Sequence, residues 1–317
     1  GVLYSIVGSL NMADLAVKVA QAPQKGLLTA VGLVFLVVFG LKGGLFPLYY
    51  WLPRSYWAPP AAVAALFGGL LTKVGIYATI RVFTLIFTFD PGFTHTLILA
   101  IAGLTMFLGV IGAVSEMDFK RILSYHIISQ VGYMVMGLGL FSPLGLAGAI
   151  FYIMHHMIVK SCLFLACGAT EEVTGTTDLH KMGGVLKTHA GVSWLFLVPA
   201  LSLAGVPPLS GFFSKFVLVQ EGLGQGRYLI VAVSLVVSFL TLFSMLKIFR
   251  FVYWGTPPQG GWPRADKRYY KLLLPVASLA GLSVLIGLCP EWFFNLALAS
   301  ARQLMDPAVY VRAVFGS

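Results

Sequence analysis

Eight apolar runs, each of about 20 residues or more, take up most of the chain. A run of this length can cross the hydrocarbon core of a bilayer as a helix whose backbone hydrogen bonds are all internal. Short connectors rich in turn residues, such as Pro59-Pro60, separate the runs. The sequence therefore predicts an all-α, multi-pass membrane protein with about eight transmembrane helices, at 27–48, 61–88, 94–115, 122–141, 144–169, 190–221, 227–254 and 270–289.

The composition excludes most soluble functions. Only 10% of the 317 residues are charged and 58% are hydrophobic, whereas about a quarter of a soluble domain is charged. The polar side chains are too few to cover a water-exposed globule, so the net charge of +10 does not indicate nucleic acid, and the lipid bilayer is the expected surrounding. We find no glycine-rich nucleotide motif and no metal-ligand spacing among the three cysteines. We therefore expect no cofactor, no metal and no catalytic site in this chain, with a translocase class arising only through a whole complex.

The basic residues of the connectors and tails are unequally divided between the two membrane faces. If every span crosses once, one face holds ten and the other five: Arg54, Lys120, Arg121, Lys181, Lys187, Arg250, Arg264, Lys267, Arg268 and Lys271 against Lys18, Lys25, Arg227, Arg302 and Arg312. By the positive-inside rule the face with ten is cytoplasmic. This predicts a plasma-membrane protein whose C-terminus lies outside.

The two ends of the chain carry different expectations. Residues 1–10 are apolar but half as long as a span, so we interpret 1–26 as the tail of a helix that begins upstream, followed by a connector. On this interpretation the chain is the C-terminal part of a longer protein. The segment 290–317 combines aromatic and basic residues and is expected to be an interfacial helix or a contact for another subunit.

Six basic residues fall within the predicted spans, whereas all eleven carboxylates fall in connectors, tails or span ends. A lysine at the centre of a span costs roughly 2.5 to 3.5 kcal/mol on insertion scales, so several in one chain indicate function. Lys73 lies roughly 18 Å from the nearer edge of its span, too far for its side chain to reach the headgroups, and Lys160 is also deep. Lys42 and Lys215 adjoin predicted helix breaks, which are tolerated only inside protein or along a wet cavity. Lys247 could reach the headgroups instead, and Arg81 is undecided.

Histidines extend this row of basic groups. Tyr152, His156 and Lys160 follow one another at intervals of four and share one helix stripe, whereas His155 points roughly 100° away. An isolated buried histidine is more often a core residue, but next to a buried lysine it suggests a relay. The predicted proton path therefore comprises Lys42, Lys73, His126, Tyr152, His155, His156, Lys160 and Lys215, with Arg81 and Lys247 as possible members. The acid that such a path needs is expected from outside the chain.

Five stretches carry a resemblance to a known family: LKGGLFPLYYWLP (41–53), GLLTKVGIYATIRV (69–82), DFKRILSYHIISQVGYM (118–134), HHMIVKSCLFLACG (155–168) and GVPPLSGFFSKF (205–216). The chain resembles the antiporter-like subunits shared by Mrp-type multisubunit sodium/proton antiporters and respiratory complex I. The resemblance implies inverted five-helix repeats, each with a discontinuous helix. It assigns 27–88 to the end of the first repeat, 94–254 to the second and 270–289 to the last transmembrane helix.

The resemblance also implies roles for individual residues. Lys42 matches the lysine of the first broken helix, which in the family pairs with an upstream glutamate; Lys73 matches that of the next helix, Lys160 the central lysine, and Lys215 the terminal acid/base residue. The implied function is that of a proton-conducting subunit of a Na⁺/proton antiporter, with other membrane subunits as partners. The alternatives are a pumping subunit of complex I or of a related membrane-bound hydrogenase, and a membrane scaffold that conducts nothing.

Overall fold

In a computed structural model of the protein, the described residues, 1–264 and 266–316, form sixteen α-helices and no strand. Ala265, Ser317 and the side chain of Arg268, one of the ten basic residues grouped above, lie outside the described residues. The helices are α1 (Val2–Val7), α2 (Met12–Gln21), α3 (Lys25–Gly43), α4 (Trp51–Tyr56), α5 (Ala61–Leu66), α6 (Thr72–Leu85), α7 (Pro91–Ser115), α8 (Phe119–Leu140), α9 (Pro143–Thr174), α10 (Val185–Thr188), α11 (Ala190–Ala204), α12 (Ser210–Gly224), α13 (Tyr228–Ile248), α14 (Lys267–Leu288), α15 (Pro290–Met305) and α16 (Pro307–Phe315). Two 3₁₀ turns (Leu48–Tyr50 and Leu179–Lys181) and two π-helical turns (Phe67–Leu71 and Phe249–Tyr253) join some of them.

Six segments are long and apolar enough to cross a membrane: Lys25–Tyr56, Ala61–Leu85, Pro91–Ser115, Pro143–Thr174, Tyr228–Tyr253 and Tyr269–Leu288. Helix α8 is 22 residues long but less apolar, because it carries charged and polar side chains. Helices α11 and α12 together make one further crossing that is interrupted near its middle. The predicted all-α membrane fold with about eight crossings is therefore confirmed.

Both predicted helix breaks are present. Helix α3 ends at Gly43 and is followed by Gly44 with φ 77°, and α11 ends at Ala204 and is followed by Gly205 with φ 92°. These left-handed conformations suit glycine, which has no Cβ. Each break then contains a cis X-Pro bond, Phe46–Pro47 in the first and Pro207–Pro208 in the second.

Helix α9 is the centre of the fold. It is 32 residues long, or roughly 48 Å at 1.5 Å per residue, and it packs against α5, α8, α11, α12, α14 and α15. Most of its side chains are consequently buried. The polar side chains in its middle, Tyr152, His155, His156 and Lys160, therefore lie inside the protein.

The connectors meet at two opposite ends of the bundle, as single crossings require. At one end Asp118 and Asp178 form an isolated β-bridge, and the Gly184 amide donates to the Trp254 carbonyl over 2.9 Å. At the other end the Gln225 side-chain amide donates to the Leu140 carbonyl over 2.9 Å. We call the first the basic end, because its connectors 175–189 and 254–266 hold Lys181, Lys187 and Arg264, and further basic residues, among them Lys120, Arg121 and Lys271, lie in the helix ends beside them.

The two ends of the chain are more structured than the sequence indicates. The predicted connector before residue 26 contains α2, which begins where the Asn11 side chain accepts from the amides of Ala13 and Asp14. The C-terminal segment forms α15 and α16, and α15 packs on α9 and α6 of the same chain. Ala297 of α15 is fully buried there. Contacts with its own chain thus hold the tail in place.

Candidate functional site

Lys160 lies at the middle of α9 and is completely buried. Its Nζ donates to the backbone carbonyl of Leu123 on α8 over 2.9 Å. The Lys160 side chain is too short to carry its amine from this depth to the lipid headgroups. The hydrogen-bond partners of the amine are therefore protein groups. The prediction that Lys160 is a deep basic group agrees with this position.

Lys73 is the second residue of α6, which follows the π-helical turn Phe67–Leu71, and its Nζ donates to the Gly68 carbonyl within that turn. The same turn packs directly on α9: a side chain at Gly69 would collide with Ser161 Oγ, the neighbour of Lys160. A π-helical turn of this kind often marks a functional position in a helix. The glycines of the turn therefore bring the helix segment that holds Lys73 against the segment of α9 that holds Lys160.

The stripe of Tyr152, His156 and Lys160 faces α8. The Tyr152 hydroxyl donates to Gln130 Oε1, and Gln130 Nε2 donates to Thr241 Oγ1 of α13 over 3.4 Å. Both ring nitrogens of His156 are buried without a hydrogen-bond partner among the described residues, and so are those of His126. Buried imidazoles normally bind protein or ordered water, so both rings have capacity to exchange a proton.

Lys215 lies behind the second helix break, where its Nζ donates to the carbonyls of Leu203 (2.9 Å) and Ala204 (3.2 Å) and to Ser238 Oγ (3.1 Å). The two carbonyls are the free acceptors at the C-terminus of α11, a position that favours a cation. The break thus supplies the polar partners that a lysine at this depth requires.

A pair of tyrosines connects Lys215 with α9. The Tyr133 hydroxyl is 2.8 Å from Ser238 Oγ, and the Lys215 Nζ is 4.6 Å from the centre of the Tyr133 ring. The Tyr133 and Tyr152 ring centres are 5.4 Å apart. These contacts complete a set of polar side chains that we call the buried polar file. Its members are Lys73, Lys160, His156, Tyr152, Gln130, Tyr133, Ser238 and Lys215.

His155 faces a different group. Its Nδ1 is 2.8 Å from Ser210 Oγ at the start of α12, and Ser210, Ser202 and Ser283 lie within 3.2 Å of one another through their hydroxyls. All of these side chains are buried. The side chains of the two adjacent histidines of α9 therefore lie in different surroundings, as the 100° angle between them predicts.

Besides His126 and His155, which are buried but are not members of this file, three predicted or possible path residues lie apart from it. The Lys42 side chain is exposed on the surface of the described chain, although its backbone touches Gly75 of α6. The Arg81 guanidinium stacks on the Tyr310 ring at 4.1 Å. Lys247 lies at the basic end, where its Nζ donates to the carbonyls of Val114 (2.8 Å) and Glu116 (2.7 Å) at the end of α7.

Lys120, which the sequence analysis places in a connector and not in the path, has an acid partner within the chain. Its Nζ is 2.7 Å and 3.0 Å from the two carboxylate oxygens of Glu171. The sequence placed both residues in connectors, but α8 begins at Phe119 and α9 continues to Thr174. Asp118, which caps α8 by accepting from the Arg121 amide, was a signal for the earlier start.

Comparisons with known proteins agree with this architecture. The profile of the family described as NADH:quinone oxidoreductase/Mrp antiporter, TM, matches residues 1–241. The chain is 61% identical over 312 residues to the D-type subunit of the Na⁺/H⁺ antiporter of Alkalihalophilus pseudofirmus, and 46% identical over 315 residues to that of Bacillus subtilis. These matches cover 98% and 99% of this chain but 63% and 64% of the relatives, so the chain spans less than two thirds of their length.

Solved structures give the same result. The Mrp complex from Dietzia sp. DQ12-45-1b contains a chain with a TM-score of 0.90 and 34% identity, matched over 99% of this chain and 66% of that one. Respiratory complex I from Thermus thermophilus contains one with a TM-score of 0.82 and 25% identity, over 96% and 64%. Both curated relatives named above are D-type subunits of Na⁺/H⁺ antiporters. The chain therefore belongs to the NADH:quinone oxidoreductase/Mrp antiporter transmembrane family.

Proposed function

We propose that this chain conducts protons as a subunit of a multisubunit antiporter that exchanges a monovalent cation, Na⁺, for protons. The observation that carries the proposal is the buried polar file, which links a lysine of the second crossing to a lysine behind the second helix break through α9. Its three buried lysines, which form no ion pair among the described residues, are costly in a membrane unless they are used. A scaffold that conducts nothing would gain nothing from them.

The chemistry of the file suits proton transfer across the width of the protein. Burial favours the neutral form of an amine and a nearby carboxylate favours the charged form, so a moving ion-pair partner can load and unload a lysine. Histidine, tyrosine and glutamine side chains between the lysines offer donors and acceptors for bridging water. On this proposal Lys73, Lys160 and Lys215 hold the proton in turn, with His156, His126 and Tyr152 between them.

The partners and the location belong to the same proposal. The exposed face of α3, which carries Val34, Val38 and Lys42, is the surface that a further helix would cover, and a carboxylate on that helix would pair with Lys42. We place the complex in the plasma membrane, with the basic end of this chain in the cytoplasm and its C-terminus outside. Protons and Na⁺ are the proposed ions.

A second candidate is a pumping subunit of a redox complex. It is supported by the similarity to a chain of complex I and by a TM-score of 0.88, at 26% identity, to a chain of the membrane-bound sulfane sulfur reductase, an archaeal respiratory complex. The same buried lysines would serve either function. The identity of 61% to a subunit of an antiporter favours the antiporter.

Sodium-dependent collapse of a pH gradient tests the proposal. The full-length protein with its partner subunits is placed in inverted vesicles, and wild type is compared with Lys73→Ala. Lys181→Ala is the matched control, because that lysine is 73% exposed in a surface ion pair. We expect sodium to collapse the gradient in wild type and in the control only. If sodium has no effect on any assembled form, the redox candidate takes precedence, and unimpaired transport by Lys73→Ala would remove that lysine from the path.

A further inference from the structure

A cavity of about 440 Å³ opens at the basic end, between the end of α9 and the starts of α5, α8 and α14. Its charged lining residues are Lys120, Glu171, Glu172 and Lys271. The segment 58–62 closes one side and contributes no charge. Charged side chains inside a membrane bundle cost free energy, so a cavity lined by them indicates a function.

The Lys120–Glu171 ion pair forms the boundary between this cavity and the protein interior. Both carboxylate oxygens bind the same Nζ, at 2.7 Å and 3.0 Å. The exposed fraction is 8% for the Lys120 side chain and 36% for that of Glu171. Glu171 thus contacts the aqueous cavity, while the lysine that holds it lies inside.

Glu171 also continues the polar stripe of α9. It follows Lys160 by 11 residues, which is just over three whole helical turns, so both side chains leave α9 on the same face, roughly 16 Å apart along the axis. Cys167, which is buried, lies on that face between them. The stripe therefore does not end at Lys160 but reaches the cavity.

Helix α8 makes a second connection between the same two groups. Lys160 binds the carbonyl of Leu123, and Lys120 is one turn before Leu123 on the same helix. The buried Ser124 hydroxyl donates to the Lys120 carbonyl over 2.8 Å. A hydroxyl with an exchangeable hydrogen is therefore bonded to the backbone of Lys120, and its residue is adjacent in sequence to the one whose carbonyl binds Lys160.

We propose that Glu171, held by Lys120, is the site at which protons pass between the water at the basic end and Lys160. The carboxylate takes a proton from hydronium in the cavity and leaves a water molecule. The neutral acid no longer holds Lys120, turns inward and gives the proton, through Ser124 and bridging water, to the amine of Lys160. This returns Glu171 to the carboxylate and restores the pair. The inference rests on the proposed function and extends it to the cavity.

Charge removal at Glu171 is the first test, in the assembled complex in vesicles. We expect Glu171→Gln to lower the rate of cation-dependent proton transport about tenfold or more, as for other proton-transfer groups, and to make it insensitive to the pH that bathes the cavity. Asp178→Asn is the matched control: it removes a carboxylate at the same end from an exposed pair with Lys181 and should retain the wild-type rate and pH profile. A wild-type rate and profile in Glu171→Gln would overturn the proposal.

A double variant separates proton transfer from simple bracing. Replacing both partners of an ion pair with apolar residues of similar volume leaves neither charge unpaired, so Lys120→Met with Glu171→Met should assemble. We expect it to transport as poorly as Glu171→Gln, whereas Glu171→Asp, which keeps a carboxylate, should recover much of the rate. Transport at the wild-type rate in the double variant would show that the pair only joins α8 to α9.

Lys160→Met, measured beside these variants, distinguishes this inference from the proposed function. If Lys160→Met abolishes transport while Glu171→Gln does not, the path stands and protons reach it elsewhere. If neither change affects transport, the proposed function itself fails. Loss of transport in both, with the control active, is the expected result.

Discussion

The two helix breaks have the same local design and opposite surroundings. Each has a left-handed glycine, Gly44 or Gly205, after a helix and a cis X-Pro bond shortly afterwards. Ten residues beyond the glycine stands a basic residue in both cases, Arg54 in the first and Lys215 in the second. Arg54 is exposed and stacks on the Tyr50 ring at 4.2 Å, whereas Lys215 is 6% exposed.

The carbonyl groups freed by the two breaks are used differently. In the first, the Trp51 indole N–H donates to the Leu41 carbonyl over 3.0 Å. In the second, the amine of Lys215 takes the carbonyls of Leu203 and Ala204. A helix end satisfied by a neutral indole is structural, whereas one satisfied by an amine that also binds Ser238 can exchange a proton. A helix break alone therefore does not make a proton site. The site also requires a side chain that can carry a proton and that the fold places at the freed carbonyls.

We expect the largest difference in transport activity when the basic residue after each break is replaced by alanine. Lys215→Ala should abolish sodium-dependent collapse of the pH gradient while the complex remains assembled, because it removes the amine at the end of the buried polar file. Arg54→Ala should retain most of the activity, since it loses only an exposed stacking contact. Equal loss in both variants would mean that the two breaks are equivalent in the complex.

The glycines offer a finer comparison. Gly44→Ala and Gly205→Ala both place a Cβ in the left-handed region, at a cost of about 1–2 kcal/mol each, and should lower the thermal stability of the purified complex to a similar degree. Only the second Cβ meets the path lysine, lying 3.0 Å from Lys215 Cδ, whereas the first meets Leu52 at 3.0 Å. We therefore expect a further loss of transport in Gly205→Ala. Equal transport by the two variants, at equal stability, would contradict this.

Lys247 tests whether binding helix-end carbonyls is enough to make a lysine part of the path. Like Lys215 it donates to carbonyls at the end of a helix, but it lies at the basic end, and its hydrogen bonds among the described residues are to α7 and Glu116 and not to the buried polar file. Lys247→Ala should cost about 1 kcal/mol of stability and leave the transport rate nearly unchanged. Complete loss of transport in a complex of normal thermal stability would add Lys247 to the path.

Much of the site was predictable because the membrane restricts where a charged side chain can lie. A lysine such as Lys73, far from both ends of an apolar run, must have protein partners, and its burial follows from its position in the sequence. The interval of four between Tyr152, His156 and Lys160 placed them on one stripe of α9 for the same geometric reason. The Lys120–Glu171 pair was not predictable in this way, because each residue lies at a helix end and their pairing depends on where two helices stop.

The sequence by itself determined that the chain crosses a membrane about eight times, where its helices break, and that several amines lie deep within it. These properties follow from run length, from glycine and proline, and from distance along a helix, all of which are local. The tertiary structure alone decided that Lys42 is exposed, that Lys247 caps α7 and that Lys215 reaches α9 through Tyr133. Those outcomes depend on which helices pack together, because a buried charge is satisfied by whatever neighbour the fold brings within hydrogen-bond distance.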